Sequence, residues 1–238
     1  HEGVVYTSDQ TWSGNMTLDD DVSIASGATL FIQPGTHINV TEDITITILG
    51  DLQIQGTPES PVNIWGSWVA ETSVQARWQG FLLDSGSVSS ASHATISDSR
   101  GGFDVESGAD LTIDSTFFVD SIIGVWNKGS ISGGGFECQA ATTSCLRVDG
   151  VADLNTVTST TSASAVHISN GGIASIDLIH SNQDSDVLAL DGGSTFTGQI
   201  DAGGFTRMIR ASDSVTATVT SVVSTSGETL VDASSLSG

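Results

Sequence analysis

Positive charge is scarce in this sequence: six lysines and arginines stand against 28 aspartates and glutamates, a formal net charge of −22 over 238 residues. So few cations cannot neutralise a run of phosphates, which excludes nucleic acid as a partner, and an anionic membrane surface would repel the chain. The acidic excess reads instead as a solubility feature suited to salty surroundings. Proline occurs three times, at 34, 58 and 61. No apolar run approaches the ~18 residues of a membrane-spanning helix. No leader segment stands at His1, so the chain reads as a mature or excised segment. Helical periodicity is missing throughout. Cysteine occurs twice, in "FECQAATTSC" (Cys138 and Cys145), with no His or Cys partner at zinc-site spacing. A disulfide is expected here rather than two unpaired thiols. It would contribute roughly 2–3 kcal/mol and place the protein outside the cytosol, extracellular or at the cell surface.

What the sequence does contain is short alternation. "VSI", "TLFI", "HINV", "ITITI", "LQI" and "VNI" alternate apolar with polar residues at period two and are rich in β-branched side chains, the pattern of half-buried strands. Gly108, Gly129, Gly150, Gly171 and Gly192 recur every 21 residues. An apolar frame accompanies them through Val125, Leu146, Leu188, Ile209 and Leu230, slipping at His167, which is flanked by Val166 and Ile168. A second, drifting frame runs through Phe117, Phe136, Val157, Ile179, Ile200 and Val222. A short period with a small residue at a corner and two or three strands per repeat predicts an all-β solenoid. On this reading "DGG" in "VLALDGGSTFTGQI" (187–200) is a corner of a coil and not a hairpin turn.

"SGATLFIQPGT" (26–36), "GDLQIQGTPESPVNIW" (50–65) and "RWQGF" (77–81) occur in that order. They resemble the entry coils of secreted, cell-surface right-handed parallel β-helix proteins of bacteria and archaea, which share the pectate-lyase-like architecture and are mostly non-enzymatic. "STFFVDSIIGVWNKG" (115–129) resembles their repeating coil. The resemblance implies one single-stranded right-handed parallel β-helix over 1–238, with Trp78 and Phe81 inside. Residues 1–49 would form entry coils, 50–107 irregular coils with a projecting loop at 65–77, and 108–238 regular coils of about 21 residues.

Chemistry is weakly signalled. Enzymes of this architecture are polysaccharide lyases and glycoside hydrolases. A hydrolase needs paired carboxylates, for which Asp19, Asp20 and Asp21, or Asp184 and Asp186, are candidates; both clusters read more simply as solvated turns, and no catalytic residue is assigned. A lyase needs clustered cations, yet Arg147 and Arg207 are nearly three coils apart. Arg207 and Arg210 are an odd separation apart, which puts them on opposite strand faces unless a bend intervenes. The five histidines are scattered and no "DxDxDG" order is present, so no cofactor is expected, with structural calcium in an Asp-rich turn the one exception considered. Thr195–Phe196–Thr197 and Thr216–Ala217–Thr218 lie 21 residues apart and resemble a short stretch of the threonine arrays of ice-binding solenoids. Trp65 and Trp68, with Glu71 and Arg77, form the best candidate ligand site: exposed rings stack on sugars, unless the loop folds over the wall and buries them. Asn15 and Asn39, in "NMT" and "NVT", are glycan-acceptor triplets that also arise by chance in a Thr-rich chain.

The expectation is a non-catalytic extracellular structural or adhesive module of a surface protein or assembly. Its partners would be a second copy or other surface domains met at the solenoid ends, and glycans. A polysaccharide-active enzyme (lyase before hydrolase), a carbohydrate-binding module and, remotely, ice binding are the alternatives. "SVVSTSGETLVDASSLSG" keeps the coil pattern without a capping helix, so its strand edges are expected to meet further structure.

Overall fold

The computed structural model describes residues 3–67, 77–212 and 214–232. Among them every regular element is a strand, and the strands join in one parallel sheet that winds into a β-solenoid of about ten turns at roughly 22-residue spacing. Each early turn has three strands. The first is β1 (Val4–Tyr6), β2 (Gln10–Trp12) and β3 (Asn15–Leu18); the second β4 (Val22–Ile24), β5 (Thr29–Ile32) and β6 (His37–Val40); the third β7 (Thr45–Ile48), β8 (Asp51–Gln55) and β9 (Val62–Gly66). The fourth is β10 (Gly80–Leu83), β11 (Val88–Ser92) and β12 (Ala94–Ser97), and the fifth β13 (Gly101–Val105), β14 (Asp110–Asp114) and β15 (Thr116–Val119).

From the sixth turn the second and third walls run on as one strand. The pairs are β16 (Ile123–Asn127) with β17 (Ser130–Gln139), β18 (Ser144–Val148) with β19 (Val151–Thr160), and β20 (Ser164–Ile168) with β21 (Ile173–Asn182). β22 (Asp186–Leu190), β23 (Thr195–Ala211) and β24 (Thr216–Asp232) complete the chain. Stacking runs β1–β4–β7–β10–β13–β16–β18–β20–β22 along the first wall, in register and parallel throughout.

The interior is a set of columns. Val125, Leu146, Val166 and Leu188 stack on one another, all buried. Val166, and not His167, continues this frame. Phe136, Val157, Ile179 and Ile200 form a second column. Its lower member is Thr116, because Phe136 pairs with that residue and leaves Phe117 half-buried on the outside. Trp78, Phe81, Phe103, Phe118 and Phe136 add a ring-to-ring chain up the core, with successive centroids 5.7, 5.3, 6.0 and 5.5 Å apart. The Trp78 indole N–H donates to Ser97 O at 2.9 Å, so burying that ring leaves no polar atom unsatisfied.

The 21-residue glycine spacing is not a stacked column. Register steps are 20, 21 and 22 residues in different turns, as in Asp110–Ser130, Ser130–Val151 and Val151–Ile173. The differences arise at two corners: in the upper coils the turn after the first wall has two or four residues, and the turn leading back to it three or four. Four-residue turns at 106–109 and 169–172 place Gly108 and Gly171 third, at φ +85° and +79°. The first residue's carbonyl accepts the fourth residue's N–H at 2.9 Å in each, the arrangement of a tight turn that wants glycine at its third position. Gly129 and Gly150 close two-residue turns at ordinary φ. They stack under Gly172 and over Ala109, where a methyl group would strike backbone. "DGG" joins β22 to β23 with Gly192 and Gly193 at φ +62° and +75°. It is a corner between walls.

Candidate ligand-binding surface

Strand β9 continues through Gly66, so Trp65 belongs to the third wall and not to a projecting loop. Its side chain faces outward and is 37% exposed, packed edge-on against His37 at 6.2 Å between centroids. With Asn15, Met16, Thr17, His37 and Asn39 it lines a shallow hollow of about 580 Å³. Asn15, Asn39 and Trp65, chosen for separate reasons, meet because Thr17 pairs with Asn39 and Asn39 with Trp65. Asn39 is held within the wall by a 2.7 Å hydrogen bond from the Ser67 hydroxyl, whereas Asn15 is exposed at the start of β3. Trp68 and Glu71 lie outside the described residues. Arg77 does not line this hollow; its carbonyl accepts the Asp43 N–H at 3.2 Å.

The outer face of the first wall carries most of the cations. Lys128 Nζ lies 2.5 Å from Glu106 and 2.8 Å from Asp104, Arg147 3.4 Å from Asp149, and Arg207 2.7 Å and Arg210 3.0 Å from Asp186. His167 approaches Asp191 at 2.8 Å, and Arg210 reaches the same carboxylate at 3.3 Å. Trp126 stands within this ladder, 4.1 Å from Lys128 Nζ and 4.7 Å from the Arg147 guanidinium carbon, and its indole N–H donates to Asp149 at 2.8 Å.

Arg147 and Arg207 share one wall but stand about three coils apart, as their spacing implied, whereas Arg207 and Arg210 share one face because a bend intervenes. Between those two arginines the consecutive residues Met208 and Ile209 both pack against the core, which shifts the alternation by one. The same pair of consecutive buried residues recurs below as Val187–Leu188, Ala165–Val166 and Cys145–Leu146. The bend is therefore a property of this corner in every upper coil.

The carboxylates of the wall are committed to pairing. Burial pushes Asp149 up, but hydrogen bonds from Ser169 and Trp126, with Arg147 nearby, outweigh it and hold the group below its ordinary value. Asp191 is likewise held low against burial by Ser212, His167 and Arg210. Asp104 goes the other way, because burial outweighs Lys128. Asp186 accepts hydrogen bonds from Arg207 at 2.7 Å and from Arg210 at 3.0 Å.

Asp184 and Asp186 are not solvated turn residues: both are buried. Asp184 accepts hydrogen bonds from the Ser162 N–H at 2.6 Å, Ser181 at 2.6 Å and Ser159 at 3.1 Å, tying two turns together at a corner, and burial raises its pKa. Among the entry acids, Asp21 receives the Thr45 N–H of the next coil at 2.8 Å, and Asp9 and Asp51 cap Thr29 and Val88 in the same way. Asp19 is exposed. Among the described residues no three His, Cys, Asp or Glu side chains gather as a metal-ligand set. Thr195 stacks under Thr216 and Thr197 under Thr218, a two-coil array whose next members below are Ile173 and Ser175. Cys138 and Cys145 are joined across one corner with Cα atoms 5.5 Å apart.

The sequence reading missed a second hollow, of about 350 Å³, on the first wall. Gln79, Arg100, Gly101, Asp104, Ile122, Ile123 and Trp126 line it. The signal that could have found it is register: Asp104 pairs directly with Trp126 one coil above.

Fold and surface together define a parallel β-solenoid with one polar, aromatic-bearing wall and one wall of paired charges. Compared with protein-family models, curated proteins and solved structures, the chain matches none, so its function is read from its own geometry.

Proposed function

We propose that the chain is a non-catalytic structural and adhesive module of an extracellular surface protein or assembly, joined to its neighbours through the end of its solenoid. One observation carries this reading. β24 pairs with β23 on one edge, and among the described residues no strand occupies its other edge. The core columns run into it unsealed: Val222 lies above Ile200 and Val231 above Ile209, yet they are 48% and 59% exposed. At the other end Trp12 is 5% exposed, while Val4, at the foot of the first-wall column, is 43% exposed. A 17-residue edge over an open core is a template for another strand. The Cys138–Cys145 bridge supports an oxidising location. The pairing of Asp186, Arg207 and Arg210 with one another leaves the candidate catalytic groups in structural roles.

Light scattering coupled to size exclusion tests the proposal. The expected result is a mass above the monomer that grows with concentration and returns to the monomer when Val222 and Val231 are both replaced by lysine. A monomer at every concentration contradicts it.

A further inference from the structure

The first-wall hollow supports an inference that does not depend on the terminal coil. We propose that it binds a short acidic sugar, a uronate residue at the end of a glycan, with Arg100 holding the carboxylate.

The argument begins with charge. With 28 acidic residues for six cations, a surface cation in this chain should find a carboxylate. Lys128, Arg147, Arg207 and Arg210 each do, at 3.4 Å or less. Arg100 is exposed and its guanidinium has no such partner among the described residues, although its backbone is held firmly. Its N–H donates to Trp78 O at 2.9 Å and its carbonyl accepts the Ile123 N–H at 3.0 Å. A fixed base therefore carries an unengaged planar fork, the geometry that grips a carboxylate through two parallel hydrogen bonds.

The rest of the hollow suits the body of a sugar. Ile122, Ile123 and Trp126 give it an apolar side against which a pyranose can lay its C–H face. Gln79 and Asp104 supply amide and carboxylate groups for hydroxyls, and both are already oriented. The Gln79 amide donates to Asp43 at 3.2 Å, which leaves its carbonyl oxygen as an acceptor, and Lys128 stands 2.8 Å from Asp104. The lining spans three stacked coils, about 10 Å along the axis. That length and a volume near the lower limit for ligand pockets suit one or two rings and not a polymer run. Net charge points the same way: at −22 the protein would repel a polyuronate, while a single carboxylate meets the local field of Arg100.

The test is a titration of the folded chain with glucuronate and a glucuronate-terminated disaccharide, followed by ligand-observed saturation transfer and by the Trp126 indole N–H resonance. Glucose, the matching neutral disaccharide and acetate serve as comparison ligands. The inference expects the acidic sugars to bind and shift the Trp126 signal. Arg100→Ala should weaken binding by about tenfold or more, and Arg100→Lys by less, because a point charge replaces the fork. Trp65→Ala, on the other wall, should leave binding unchanged. Equal binding of the neutral disaccharide overturns the role of Arg100, and equal binding of acetate overturns the role of the sugar ring. Absence of binding by either uronate, or a loss that follows Trp65 instead of Arg100, overturns the site itself. Circular dichroism of Arg100→Ala keeps a folding defect distinguishable from lost recognition.

Discussion

Gly150 is glycine because of what a methyl group would meet. An added Cβ would sit 2.2 Å from Gly129 O and 2.6 Å from the Lys128 carbonyl carbon, both backbone atoms that the ladder fixes. Gly171 is glycine for another reason: nothing lies within 4 Å, but φ is +79°. Gly150→Ala should therefore cost about 3 kcal/mol or more, and Gly171→Ala only about 1–2 kcal/mol, compared by urea denaturation. Equal costs would mean that the two positions share one role, as their 21-residue spacing suggests on paper. Titration also acts at the level of single residues. Asp149 and Asp191 are held below the ordinary 3.8. Their ionised forms thus contribute stability above that value, and the contribution is lost as pH falls through the lower folded values. Asp149→Asn should lower the urea midpoint at neutral pH and flatten its fall below about pH 4. Asp184, raised by burial, has the opposite sign: ionising it costs stability as pH rises through its folded value, so Asp184→Asn should flatten the curve just above the ordinary range.

Elements were legible wherever alternation was strict. β4, β5, β7 and β8 can be read directly from "VSI", "TLFI", "TITI" and "DLQIQ", whose buried positions alternate as written. The columns between elements were less legible, because four-residue and two-residue corners shift the register by two while keeping the average period. The charged wall was hidden by a local event: two consecutive inward residues, such as Met208 and Ile209, reverse the phase that alternation assigns to Arg210. Trp65 was misplaced because tryptophans near a long insertion suggest a loop, while pairing with Asn39 and Ser97 keeps Trp65 in a strand. The upper corner of β17 and β18 carries the disulfide, and its effect should stay local. Replacing both Cys138 and Cys145 by alanine should cost roughly 2–3 kcal/mol, read from chemical denaturation, while far-ultraviolet circular dichroism keeps its strand signature. A loss of strand signal would mean that the bridge nucleates the fold and does not merely tie one corner.

At the scale of the whole molecule, a solenoid has no single centre: each turn is stabilised by its two neighbours, and the end turns by one. Protection of backbone amides should fall toward β24, whose residues are nearly all exposed, and stay high through the aromatic chain from Trp78 to Phe136. Hydrogen exchange would show that gradient. The last turn, with Val222 and Val231 exposed above the core columns, is the feature on which the functional account rests. The decisive measurement is therefore the mass of the chain in solution as concentration rises, with and without lysine at Val222 and Val231. The account predicts concentration-dependent association in the parent chain and a monomer in the double variant. A parent chain that stays monomeric throughout, or a double variant that associates equally well, would contradict it.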